Sequence, residues 1–138
     1  MKRMKRIGLS QVLTAVIAIA GIAIALEANA YERISNRENS VRVDVVPVQL
    51  ESGKSAKFEI RMNTHSGDLS QDLVSVSTLK DDNGREYRPV DWQGASPGGH
   101  HPTGVLEFPA LNGNTKSVTL VIRDVADVPE RIFKWNLK

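Results

Sequence analysis

Cysteine is missing from all 138 residues. Its absence excludes disulfide staples, zinc–thiolate sites, iron–sulfur clusters and a thiol nucleophile. Aromatic residues are scarce, with three Phe, two Trp and two Tyr, so Val, Ile and Leu must fill most of any core. Neither sign of charge dominates, with 18 Lys and Arg against 16 Asp and Glu. Internal repeats and low-complexity tracts are also lacking. A chain this short allows one domain with an appendage and excludes a large multidomain enzyme.

What is present begins with a leader. Lys2, Arg3, Lys5 and Arg6 precede an apolar run from Val12 to Leu26, which ends at Ala28-Asn29-Ala30. A basic start, an apolar core and small residues at a cleavage site make a secretory signal peptide. The run is short of the ~20 apolar residues that span a bilayer. Even counted from Leu9 it includes Ser10 and Gln11. Three readings of residues 1–30 follow. The first is a cleaved signal with the mature chain starting at Tyr31. The second is an uncleaved anchor holding residues 9–26 in the membrane, basic end inside. In the third, Arg6-Ile7-Gly8 before the apolar run resembles the leader of archaeal pilins, which implies a filament subunit with a β-sandwich after its helix. All three predict an extracytoplasmic domain, secreted, periplasmic or held on the outer face of the cytoplasmic membrane.

The leader also carries the positive charge. Taking its four Lys/Arg and its single Glu27 from the totals leaves 14 basic and 15 acidic residues beyond Ala30. Nucleic-acid binding would need a basic stripe on the folded domain, and this balance excludes it as an expectation.

Residues 31–40 (YERISNRENS) are polar and read as a linker. From residue 41 to 138, period-2 alternation predicts strands. Val41, Val43 and Val45 alternate with Arg42 and Asp44, and Pro47 marks a bulge or an edge. Phe58, Ile60 and Met62 alternate with charged neighbours. Segments Leu73–Leu79 and Glu86–Val90 flank Asn83-Gly84, a hairpin signal because that pair takes up positive φ easily. Val105–Phe108, Val118–Ile122 and Ile132–Leu137 complete about seven strands, with no helix expected after residue 30. The predicted fold is all-β, an immunoglobulin-like antiparallel β-sandwich preceded by an N-terminal hydrophobic helix.

Candidate chemistry is sparse. His65 ends the Phe58–Met62 strand, and His100-His101 sit in a Gly/Pro-rich loop, so the three imidazoles are a candidate copper or zinc site, with Met62 as a soft ligand for Cu(I). The plainer expectation is loop histidines hydrogen-bonded to backbone, with no cofactor. Gly94-Ala95-Ser96-Pro97-Gly98 matches the hydrolase elbow G-x-S-x-G. It cannot act as one, because the residue after the serine must donate a backbone N–H and Pro97 has none. Asp68, Asp72, Asp81, Asp82 and Asn83 are possible calcium ligands, but turn and cap roles fit them better, since D-x-D-x-D-G is absent. Trp92 near Tyr87 is either a ligand platform or a core plug. Glu130-Arg131 reads as a surface ion pair.

Three runs carry a resemblance. Met62-Asn63-Thr64-His65-Ser66-Gly67-Asp68-Leu69-Ser70, Gly98-Gly99-His100-His101 before Gly-Val-Leu-Glu-Phe, and Val128-Pro129-Glu130-Arg131 before Phe-x-Trp are similar to runs in small uncharacterised exported proteins of bacteria and archaea. The resemblance implies the sandwich and supplies no site. No nucleophile–base pair or paired carboxylates emerge from spacing, so the expected protein is not an enzyme. It is expected to do structural or recognition work on a surface or periplasmic protein or glycan. Trp92, Gly98, Gly99, His100 and His101 form its candidate contact loop.

Overall fold

The computed structural model describes residues 30–138, and the leader readings fall on residues outside that range. Among the described residues no helix is long and apolar enough to cross a membrane. Residues Tyr31–Lys138 form one compact unit built from nine strands: β1 (Ile34–Glu38), β2 (Val41–Gln49), β3 (Ser55–Thr64), β4 (Ser77–Asp81), β5 (Glu86–Tyr87), β6 (Asp91–Gly94), β7 (Thr103–Ala110), β8 (Ser117–Val125) and β9 (Val128–Asn136). One antiparallel sheet has the order β1-β2-β3-β7-β6 and the other β5-β4-β8-β9.

Alternation decides which face each strand turns inward. Val41, Val43 and Val45 of β2 are buried, as are Ala56, Phe58, Ile60 and Met62 of β3. They meet Leu79 of β4, Val118, Leu120 and Ile122 of β8, and Phe133 and Trp135 of β9 in one core. Few aromatics are available, and the core concentrates them: all three Phe are fully buried. Phe58 joins the sheets, edge-on to Phe108 at 5.8 Å and tilted against Trp135 at 5.3 Å. Pro47 lies beside the expected bulge, where the β2–β3 register slips between Pro47 and Gln49.

Four expectations need correction. Residues 34–38 are not a linker but strand β1, paired with β2 from Ile34 opposite Val45 to Glu38 opposite Val41. Only Ile34 and Asn36 of β1 turn inward, both half-buried, so the strand lacks the apolar run that would have announced it. The count is nine strands rather than about seven: β5 falls within the expected Glu86–Val90 strand, and the additions are β1 and β6, the latter too short to show alternation. A single helical turn, α1 (Leu73–Val76), replaces the start of the expected strand, with Asp72 capping it by accepting from Val74 N–H. Finally, Arg131 is not a surface residue.

Arg131 lies on the inward face of β9 with Phe133 and Trp135 and is fully buried. Its Nη1 donates to Asn36 Oδ1 at 2.7 Å and to Val41 O at 3.2 Å. Its Nη2 donates to Glu38 O and Val125 O, each at 3.1 Å. The guanidinium therefore ties β1 and β2 of one sheet to β8 and β9 of the other. Burial draws its pKa down, against a pull upward from Glu38. Glu130 turns outward and pairs with Arg123 at 3.9 Å instead.

The same corner holds two left-handed turns. Asn39 and Ser40, φ 47° and 61°, link β1 to β2, and Ala126 and Asp127, φ 52° and 59°, link β8 to β9. Two consecutive positive φ values twist a hairpin in the sense that its strands require. Asn39 Nδ2 donates to Ala126 O at 3.1 Å, so one turn holds the other.

Candidate functional site

The loop after β6 is expected to carry function, and its geometry is set by glycines. Gly98 and Gly99 have φ of 118° and 78°, values that other residues rarely adopt. They let the loop fold back on the segment after β3. Gly98 N–H donates to Leu69 O at 2.8 Å, and Leu69 N–H donates to Gly99 O at 3.0 Å. Thr64 N–H donates to His100 O and Met62 N–H to Pro102 O, both at 3.0 Å. Both halves of the loop are thus fastened to residues 62–69, while the side chains of His100 and His101 stay exposed.

Trp92 serves this loop from beneath. It is half-buried on β6, and its Nε1–H donates to Ala95 O at 2.8 Å. Its ring lies over Gly104, where an added Cβ would come within 2.6 Å of Trp92 Cζ2. Gly94 faces Gly104 across the strands, and a Cβ there would meet Gly104 Cα at 2.4 Å. The indole covers a strand pair that has no side chains of its own. Tyr87 does not join it: Tyr87 is buried, donating to Asp81 Oδ2 at 2.9 Å and accepting from Asn112 N–H at 3.0 Å. The expected Trp92–Tyr87 platform is not formed; Trp92 is half-buried and packs against the core while it supports the loop.

The three histidines are not brought together as ligands. His101 Nδ1 donates to Asn63 Oδ1, and the rings of His100 and His101 stand 6.3 Å apart at 47°. Among the described residues no three His, Cys, Asp or Glu side chains are grouped so as to hold a metal ion. That geometry offers copper or zinc no three-imidazole site, and Met62 is buried on the other face of β3. The aspartates serve turns. Asp81 Oδ1 accepts from Asn83 N–H and Arg85 N–H, both at 2.9 Å. Asp82 Oδ1 accepts from Lys116 N–H and Ser117 N–H, which hold its carboxyl below the usual range.

His65 belongs to a different neighbourhood. It lines an open cleft of about 350 Å³ with Arg37, Ser40, Arg42, Asn63 and Ser66. Register explains the grouping. Arg37 of β1 stands opposite Arg42 of β2, and Arg42 stands opposite Asn63 of β3, so three outward positions form one row across the sheet. The β1–β2 turn adds Ser40, and the end of β3 adds His65 and Ser66. Arg42 Nε donates to Asp44 Oδ1 at 2.8 Å. Burial alone would raise the Asp44 carboxyl, but the Ser35 hydroxyl and Arg42 outweigh it and hold the pKa below the usual range.

No family model, curated protein or solved structure matches this chain. The cleft and the loop therefore stand on their own chemistry. Sequence reasoning found His65 and the loop but missed Arg37, Ser40, Arg42, Asn63 and Ser66. The missed signal is Asn39-Ser40 before the first valine: read as a two-residue turn, it sets residue 37 against residue 42.

Proposed function

We propose that residues 31–138 form an immunoglobulin-like recognition domain, non-catalytic and carried outside the cytoplasmic membrane by the leader. The strand order supports the family of folds. The sheets β2-β3-β7-β6 and β5-β4-β8-β9 follow the order of strands ABED and C′CFG, with β1 as an added strand beside A. The usual inter-sheet disulfide is absent, and the aromatic plug is on the last strand, as Trp135.

The observation that carries the recognition reading is the fastened loop at residues 95–102. Four backbone hydrogen bonds hold it to residues 62–69, so little ordering remains to be done when a partner docks. Long loops held on a rigid sheet are where such domains make contact. The basic start and apolar run of residues 1–30 support export.

Two measurements test it. Intact-mass analysis of the native protein reads a start at Tyr31 for cleavage and at Met1 for an anchor, and protease treatment of cells with a permeabilised outer layer digests the domain in either case. A domain protected with the cytosolic proteins overturns the location. Envelope protein and glycan fractions are then offered to the full chain and to a variant with residues 96–101 replaced by a short Gly/Ser link. The recognition reading expects one fraction to bind saturably and to be lost with the loop. Equal retention by both forms overturns it.

A further inference from the structure

The cleft beside the loop is lined by groups that give hydrogen bonds and few that accept them. Arg37 makes no ion pair or hydrogen bond with any described side chain, and it is exposed. Arg42 engages Asp44 through Nε alone, and its terminal amino groups make no hydrogen bond with a described side chain. Asn63 uses Oδ1 to hold His101, so its amide end is the part that remains. The hydroxyls of Ser40 and Ser66 and the ring of His65 complete the wall. None of the six lining residues is acidic.

The placement of the two arginines is costly for a bare sheet. Directly opposed like charges on neighbouring strands destabilise the pair, and Arg37 faces Arg42 in register. Asp44 offsets only part of this, because it is already shared between Arg42 and the Ser35 hydroxyl. An anion between the guanidinium groups would convert that repulsion into charge-assisted hydrogen bonds.

We propose that this cleft binds a phosphate group. The donors come from β1, β2, the turn between them and the end of β3, so two guanidinium groups and several neutral donors line one cleft. A phosphate monoester brings close to two negative charges and three free oxygens to that pair of cations, whereas a carboxylate brings one charge and two oxygens. A volume of about 350 Å³ exceeds a bare phosphate and has room for the alcohol or sugar that carries it. The inference names a ligand class for the same end of the domain and rests on the recognition reading, and it uses the loop only through His101, which holds Asn63.

The test is titration of the full chain with inorganic phosphate, glycerol phosphate and galacturonate, with binding to phosphatidylglycerol and phosphatidylcholine vesicles in parallel. Saturable phosphate or glycerol phosphate binding is expected, falling as salt is added, and about tenfold weaker in Arg37→Gln and in His65→Gln. His100→Ala should bind phosphate as the parent does, and loss of the envelope fraction in the loop-shortened variant is read separately, which separates failure of the loop reading from failure of this one. Binding of the soluble phosphates identifies a free phosphorylated ligand. Binding confined to phosphatidylglycerol vesicles, and lost in Arg37→Gln, identifies a headgroup. Absence of any phosphate or vesicle binding, equal binding by Arg37→Gln, or galacturonate binding as tight as phosphate overturns the proposal. Arg37 is exposed, so an unchanged melting curve checks that its replacement leaves the fold intact.

Discussion

Two arginine sites lie on opposite faces of β1. Inside, Arg131 meets an array of acceptors: Asn36 Oδ1 and the carbonyls of Val41, Glu38 and Val125. Outside, Arg37 meets Arg42 and a wall of further donors. The first guanidinium is matched by its own chain and so belongs to the architecture. The second is matched by no acceptor among the described side chains, and that deficit is what gives the outer face a claim on a ligand. The distinction comes from counting acceptors, since residue type and position along the strand are alike.

The sharpest way to break this comparison is Arg131→Ala. It strands four acceptors, two of them in buried hydrogen bonds and two in part-buried ones, and opens a cavity between the sheets. Unfolding by urea should show a loss of about 3–5 kcal/mol, with amide exchange in β1 accelerating first. A loss near zero would mean that the inner site is no more structural than the outer one. Asn36→Ala removes one acceptor and leaves the rest, so about 2 kcal/mol is expected from the same measurement. An effect as large as that of Arg131→Ala would show that the cage fails as a unit.

Acid probes the outer face. The Asp44 carboxyl is held below its ordinary value of 3.8. A lowered value in the folded state contributes stability above the unfolded value, and that contribution disappears as pH falls from about 3.8 through the folded value. Melting temperature should therefore drop more steeply with acid in that window for the parent than for Asp44→Asn. Identical slopes would remove Asp44 from the account of the cleft. The smallest effect belongs to Arg37→Gln, which should change stability by no more than about 0.5 kcal/mol, in the direction of stabilisation. A loss of 2 kcal/mol or more would place Arg37 with Arg131, as architecture.

The same contrast explains what could be read in advance. Alternation exposed β2, β3 and β8 because their inward residues are Val, Phe, Ile and Leu. It failed for β1, whose inward residues are Ile34 and the polar Asn36. Asn36 looks like a linker residue until Arg131 is known to be buried against it. Arg131 in turn looks like a surface charge beside Glu130, because its charge masks what alternation with Phe133 and Trp135 implies, that β9 turns it inward. Each misreading conceals the other, since the partners are 95 positions apart. The candidate site suffered likewise. The loop's glycines and histidines were visible as a local cluster, whereas the cleft is assembled by strand register from two separate segments, residues 37–42 and 63–66.

That separation also fixes an order of assembly. Trp135 Nε1 donates to Glu32 O across 103 positions, and Arg131 reaches Asn36 across 95. As the chain leaves the ribosome, β1 is among the first parts of the domain to emerge, and its inner fastening arrives only with the last eight residues of the chain. Until then β1 has only its ladder with β2, and closing so long a loop is slow. A chain cut short before Arg131 would keep every residue of the phosphate cleft and lose the clamp that holds the strand beneath it.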